Sequence, residues 1–419
     1  MMKNQLKYSL LSLALMLATT TLYGQSAEDY YAIAGENNPE VKAKFNEFNA
    51  AMEQVAQANS LPDPNLSLSY FISPVETRLG PQRFKISLSQ MFPWFKTLQT
   101  KGMVSKLMAE ARYQEFIDVR NKLYFEVAQS YYPLYEIKEL IRLQQQNLSI
   151  LESYKIIAEK KFENSQSTMV DVLRVDLMMN DILTEIAILK EQQAFLSQNF
   201  NTLLNRDLNE TIALPDTLKI DFIEYGYRKD SLLDENPKLQ EIEWMIQAME
   251  EKENLTIKQS MPSFSVGLDY VIIGKRTDMV VADNGRDAFM PMVTMSLPIY
   301  RKKYKAATRE TELMQEAYRN RKENTINKLT INYEKVWFEL TRNQKYITLY
   351  QKQIKETGQA LHIIFTSYAN SGRQFEEVLR LQQQLIQYDI LLIKSLTKYK
   401  TVEAELNYIT AKNYDNESK

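Results

Sequence analysis

The chain repeats itself. From Val378 to Leu406, apolar residues recur at alternating steps of three and four: Val378, Leu381, Leu385, Tyr388, Leu392, Tyr399, Val402 and Leu406, interrupted only at Ser395. A period of 3.5 sustained that long is a coiled-coil seam. Moved back by 206 positions, the series returns as Val172, Val175, Met179, Ile182, Ile186, Leu189, Leu196 and Phe200, interrupted only at Gln193. A second seam precedes each helix and repeats at the same offset. Leu123, Val127, Leu134, Ile141, Leu148 and Phe162 answer to Leu329, Tyr333, Leu340, Ile347, Ile354 and Tyr368. An internal repeat fixes an architecture before any other feature is read.

Between the paired helices lie two short polar turns, Glu163-Asn164-Ser165-Gln166-Ser167 and Ala369-Asn370-Ser371-Gly372-Arg373. Each Asn-Ser falls where a helix C-cap belongs. Each copy therefore reads as an antiparallel helical hairpin. Its longer arm, Lys101 to Phe162, extends on the order of 90 Å at 1.5 Å per residue. Two uses fit: a solvent-exposed spacer, or one stave in the wall of a tube built from several copies. Polar runs such as Gln144, Gln145, Gln146 and Gln382, Gln383, Gln384 are read as helix surface and suit either.

The net charge of −2 comes from interspersed acids and bases, so no nucleic acid partner is indicated. The absence of cysteine excludes disulfides, thiol catalysis and thiolate metal sites, and with them a lipidated N-terminal cysteine. The single histidine, His362, lies in a long helix, where a packing or surface role is the ordinary one. The 18 methionines include seam and strand positions such as Met179 and Met295, which assigns them to packing before metal relay. No nucleophile motif, phosphate loop or histidine cluster is present. The chain is read as a non-enzyme without cofactor or metal.

Residues 1–24 read as a secretory signal. Lys3 and Lys7 give a basic start, Leu10 to Leu17 an apolar core, and Ala18 to Gly24 an approach to cleavage near Gln25. That core is too short to span a membrane, and no later run is longer, so any membrane passage must use strands. The mature chain divides into a first repeat, 25–228, and a second, 229–419. The first holds a helix, a β-hairpin over about 64–92, a helical hairpin over about 97–205 and an equatorial segment. The second holds a helix, a β-hairpin over about 263–299, a helical hairpin over about 301–411 and a polar tail.

The strands announce themselves by alternation. Leu66, Leu68 and Tyr70 alternate with Ser67 and Ser69, and Phe84, Ile86 and Leu88 with Lys85 and Ser87. In the second repeat, Phe264, Val266, Leu268 and Tyr270 alternate with Ser265, Gly267 and Asp269, and Val293, Met295 and Leu297 with Thr294 and Ser296. These thirteen apolar residues are the expected lipid-facing set. Strands of about nine residues can cross a bilayer when tilted, and aromatics at their ends fit an interfacial girdle. Two soluble hairpins are the alternative, but the helices are committed to their own seams and leave nothing to cover the apolar faces. Four strands cannot close a barrel, for which about eight are the minimum. Several chains must then share one, and three chains supply twelve strands.

The order of signal, helix, strand hairpin and long helical hairpin, with all but the signal occurring twice, resembles the TolC-like outer membrane factor family. The helix-tip pattern, an aromatic, an Asn-Ser turn and an acid before Val-Leu, stands here as Phe162 to Leu173 and Tyr368 to Leu379. The Leu61-Pro62-Asp63-Pro64 and Phe92-Pro93-Trp94-Phe95 pieces resemble the heavy-metal-efflux branch. The resemblance implies a mainly α fold with a small antiparallel β part. It implies a homotrimer whose 12-stranded outer-membrane β-barrel continues into a periplasmic α-helical barrel. It further implies outer membrane lipid around the barrel, and a periplasmic adaptor and inner-membrane efflux pump as partners. The function implied is a passive exit duct, with heavy-metal cations as one cargo. A periplasmic coiled-coil adaptor is the alternative, although adaptors carry one such hairpin and this chain has two.

By the same resemblance, the closed end of the duct is ringed by acids just past the tip turns. The matching positions are Asp171 and Glu377, with Glu376 beside them and Arg174 and Arg380 one helical turn on as partners. The plainer reading is that these acids stand in the first turn of a helix, where the dipole favours them by about 0.3–1 kcal/mol.

Overall fold

A computed structural model of the chain describes residues 27–371 and 375–412. The leader read at 1–24, Gly372-Arg373 and the end of the polar tail lie outside the described residues, whereas Ala369-Asn370-Ser371, read as the start of the second turn, is still helical. The elements run α1 (Ala27–Asn37), α2 (Pro39–Asn59), β1 (Asn65–Thr77), β2 (Gly80–Phe92), α3 (Thr97–Glu163), α4 (Met169–Leu203), α5 (Ser231–Asp234), α6 (Pro237–Gln259), β3 (Phe264–Ile273), β4 (Ala288–Met295), α7 (Arg301–Ser371) and α8 (Phe375–Ile409). The chain is mainly α with a small antiparallel sheet, as the alternating and heptad patterns predict. It divides into two compact units. One comprises the residues up to Lys42, Val119–Asn236 and the residues from Lys328 on; the other comprises Ala43–Asp118 and Pro237–Asn327.

In the first unit much of each seam is buried, although Phe162, at the end of the α3 seam, is 45% exposed. Val172, Val175, Ile182, Ile186 and Leu189 on α4 are at most 8% exposed, and Val378, Tyr399, Val402 and Leu406 on α8 at most 1%. Leu151, Tyr154 and Ala158 of α3 and Leu361 and Tyr368 of α7 join Val172, Val175, Ile182, Ile186 and Val378 in one apolar cluster. Two of the glutamines read as surface are inside. Gln144 and Gln382 are buried, and Gln382 Nε2 donates to Asn147 Oδ1 at 3.0 Å. A satisfied polar pair inside a helix seam fixes register rather than adding much stability. The seam break at Ser395 is buried too, its hydroxyl donating to the Leu391 carbonyl at 2.8 Å.

Asn38 and Asn236, each followed by a proline, do the same work twice. Asn38 Nδ2 donates to the Leu203 carbonyl at 3.3 Å and Asn236 Nδ2 to the Ile409 carbonyl at 2.9 Å. Each thereby satisfies an orphan carbonyl at the end of α4 or α8. The Asn38 carboxamide oxygen also accepts from the Glu40 and Val41 amides, an N-cap with proline at the first helical position. The irregular segment after α4 has backbone groups that no ladder satisfies, and buried tyrosines supply partners. The Ala213 amide donates to Tyr30 Oη at 2.8 Å, the Leu218 amide to Tyr135 Oη at 3.3 Å and the Ile223 amide to Tyr399 Oη at 3.1 Å.

In the second unit the strands form one antiparallel sheet in the order β1-β2-β3-β4. The two hairpins are thus not independent, because β2 pairs with β3 from Gln82↔Ile273 to Phe92↔Phe264. The strands hold 13, 13, 10 and 8 residues. Gly80 closes the β1–β2 turn at φ 128°, a conformation that side chains resist. Gly102, on α3, lets α2 approach: a Cβ there would stand 2.0 Å from Asn59 Oδ1.

Candidate functional site

The five aperture candidates stand at the hairpin tips in two groups, Asp171, Arg174 and Glu376 in one and Glu377 and Arg380 in the other. The first tip turn ends α3 in the left-handed conformation, with Ser165 at φ 59°. The Gln166 amide donates to the Lys161 carbonyl at 2.8 Å, and Asn164 Nδ2 to the Lys160 carbonyl at 2.8 Å. Asp171 stands in the first turn of α4 and accepts from Ser167 Oγ at 2.8 Å. Glu376 and Glu377 stand in the first turn of α8.

The arginines are placed differently from each other. Arg174 Nη1 reaches across to Glu376 Oε2 at 3.0 Å and lies 3.9 Å from Asp171 Oδ1, so it joins the two hairpins. Arg380 stays on its own helix and grips Glu377 with a fork, its Nε at 3.0 Å from Oε2 and its second nitrogen on Oε1. That hydrogen bond holds the Glu377 carboxyl below the usual glutamate range. Beneath the charges, Tyr368 is fully buried and stacks on Phe375 at 4.6 Å. The Lys161 ammonium lies 5.2 Å from the Tyr368 ring centre. Burial, and then the negative charge of Asp171, pushes the Tyr368 hydroxyl up to about 12. Ser167 and Lys161 were not singled out in sequence, and only Ser167, four residues before Asp171, had a spacing that could have shown its role.

The sheet carries the other candidates. Register places Leu66 opposite Leu88, Leu68 opposite Ile86 and Tyr70 opposite Phe84. It continues through Ile86↔Tyr270, Leu88↔Leu268 and Phe92↔Phe264. Val266↔Val293 and Phe264↔Met295 complete it. Directly paired residues share a face, so twelve of the thirteen lie on one side of the sheet, while Leu297 lies past the end of β4. This face is open: Leu66, Leu68, Leu88, Leu268 and Val293 are 63%, 64%, 52%, 46% and 76% exposed. The other face carries Ser67↔Ser87, Ser87↔Asp269 and Ser265↔Thr294. On it, Lys85 Nζ meets the buried Asp269 carboxylate at 2.5 Å.

Solved structures share this arrangement. CusC, reported with conformational changes accompanying folding and transmembrane channel formation, superposes with a TM-score of 0.76 at 16% identity, over 93% of this chain and 95% of its own. The outer membrane protein VceC of Vibrio cholerae gives 0.73 at 15% identity, over 93% and 96%. The outer-membrane channel OprN gives 0.73 at 13% identity, over 93% and 90%. The fold is that of the outer-membrane channels. No family model and no curated protein sequence matches the chain, so the likeness rests on architecture, and it extends over nearly the whole chain.

Proposed function

We propose that the protein is the outer-membrane channel of an efflux system, a passive duct closed by three copies. The observation that carries this reading is the sheet. It is apolar and exposed on one face, it carries the serines, Thr294 and the Lys85–Asp269 pair on the other, and it ends in β1 and β4, each paired on one side only within the chain. An exposed apolar face of this size calls for lipid or a partner. Two unpaired edges call for further strands, since membrane-spanning sheets must close. Joining β4 of one copy to β1 of the next satisfies both needs at once. The repeated helical hairpins, with a matching Asn cap on each 35-residue helix, supply the staves of a tunnel on the periplasmic side. An adaptor and an inner-membrane pump then complete the path and provide the energy.

The tips act as the closed end. Arg174 to Glu376 is the clasp between hairpins, and Asp171 and Glu377 line the aperture. The heavy-metal cargo implied by the proline pieces belongs to this reading only as far as those pieces go, and the charge at the sheet base described below favours a different cargo. Planar-bilayer recording tests the duct. Purified protein should give a small resting conductance that Arg174→Ser with Arg380→Ser raises several-fold. An insulating bilayer with both proteins, despite verified insertion, overturns the reading.

A further inference from the structure

A cavity of about 740 Å³ lies where the four strand ends meet the starts of α3 and α7. That volume is within the range of small-molecule sites. Met91, Ser263 and Ser296 line it. Met91 pairs with Ser265 in register, on the side of Lys85 and Ser87, so the cavity belongs to the polar face of the sheet. Its charge is one-sided. Lys101, Lys258 and Lys303 line it against one carboxylate, Asp63. Among the described residues, none of these three ammonium groups has a carboxylate partner; Lys303 instead lies 5.7 Å from the ring centre of Tyr304. The ends of α2 and α6 border the cavity as well as the starts of α3 and α7, so helix dipoles largely cancel and the side-chain charges decide.

A buried hydroxyl points the same way. Thr97, the first residue of α3, lines the cavity, is 7% exposed, and its Oγ1 has no hydrogen-bond partner among the described residues. Buried polar atoms are rarely left unpaired without a reason such as an unfilled ligand position, and a hydroxyl can donate to an anion. The walls beside these groups are apolar and aromatic, Trp94, Leu98 and Tyr300 among them.

We propose that this cavity binds an amphiphilic organic anion, a carboxylate, sulfonate or phosphate ester on an aromatic or aliphatic body. The lysines and Thr97 hold the acidic head, and Trp94 and the tyrosines hold the body. Placing the site inside the duct, as a station for cargo of this class, rests on the function proposed above. A bare metal cation is repelled by the same three lysines.

The test uses the assembled protein in phosphatidylcholine nanodiscs, with titration calorimetry corrected by empty discs. Naphthalene-2-sulfonate should saturate one site per chain and bind at least tenfold tighter than either neutral 2-naphthol or inorganic phosphate. Lys258→Gln with Lys303→Gln should weaken it at least tenfold and Thr97→Val about fivefold. Lys275→Gln, in the β3–β4 loop, should leave it unchanged. Circular dichroism and particle mass confirm that each variant is folded. Equal binding of sulfonate and naphthol, equal binding of sulfonate and phosphate, or binding indifferent to the lysine pair overturns the assignment. Conductance, recorded separately, distinguishes the failures. A conducting protein without the site refutes this inference alone, and a non-conducting protein that binds refutes the duct while the site stands.

Discussion

At the hairpin tips the seam residues Val172, Val175 and Val378 are inside and the charges outside; on the sheet the order is reversed. Val175 and Val378 are fully buried, and above them Glu376 and Arg174 meet at the surface. On the sheet, Leu68 is 64% exposed and Asp269 1%. Although Leu177, Ile188, Phe195, Ile331 and Phe338 stay at least 53% exposed, the helical unit buries its seam within one chain. The sheet does not: what would be its core face has nothing on it, and its one buried ion pair lies on the face that carries the serines. One sequence thus hides its apolar seam in one region and presents an apolar face in another. The difference lies in which side of each element the apolar period falls on.

The comparison breaks most visibly by truncation. Leu151, fully buried in the tip cluster, should lose about 2–5 kcal/mol on Leu151→Ala, seen as a lowered midpoint in chemical unfolding of the solubilised protein. Leu68→Ala leaves no cavity and should cost less than half as much in the same experiment. A comparable loss at both would mean that Leu68 has a protein partner.

A charge sharpens the contrast from the other side. On the proposed membrane face, Leu268→Arg should cost about 2–4 kcal/mol, as a cation near the bilayer centre does, whereas Ser265→Arg, on the opposite face, should insert nearly as wild type. Insertion scored by resistance to alkaline extraction from outer membranes checks both. Equal damage would reverse the assignment of faces.

Smaller effects are expected from the tip charges, because exposed ion pairs contribute little. Asp171→Asn with Glu377→Gln should lower cation preference and weaken block by trivalent cations while the protein stays folded. Unchanged selectivity would leave these acids as first-turn residues that favour the helix dipole. Acid should mimic part of this. Glu377 is held below the ordinary glutamate value by Arg380, so its pairing contributes fully above that value and is lost as pH falls through the lower, folded one. The change in tip behaviour should therefore come below about pH 4.5, the unperturbed glutamate value. It should be absent in Glu377→Gln, as read by conductance against pH.

The helices were legible because their period is long and occurs twice. Val172 and Val378 announce each other, and 35-residue helices starting at Met169 and Phe375 preserve the 206-residue offset. Strand faces were legible from alternation alone. Other features were not. Pro133, which ordinarily breaks a helix, lies inside α3, where buried Tyr131 and Leu134 on either side override the local rule. Gln382 looks like a surface residue until its partner Asn147 on another helix is known. The pairing of β2 with β3 joins segments about 180 residues apart through backbone bonds that side-chain pattern does not encode. At the tips, the type and position of the acids could be read, but not that Arg174 crosses to Glu376 while Arg380 stays at home. The lysine cavity draws on four separate stretches of chain, and no spacing in the sequence connects them.

The central claim is that the exposed apolar sheet is one third of a shared barrel. The mass of the detergent-solubilised particle, corrected for bound detergent, tests it most directly. Three protomers of this 49.1 kDa chain, less any removed leader, are expected. A folded monomer with an intact sheet, stable at working concentration, would contradict the claim.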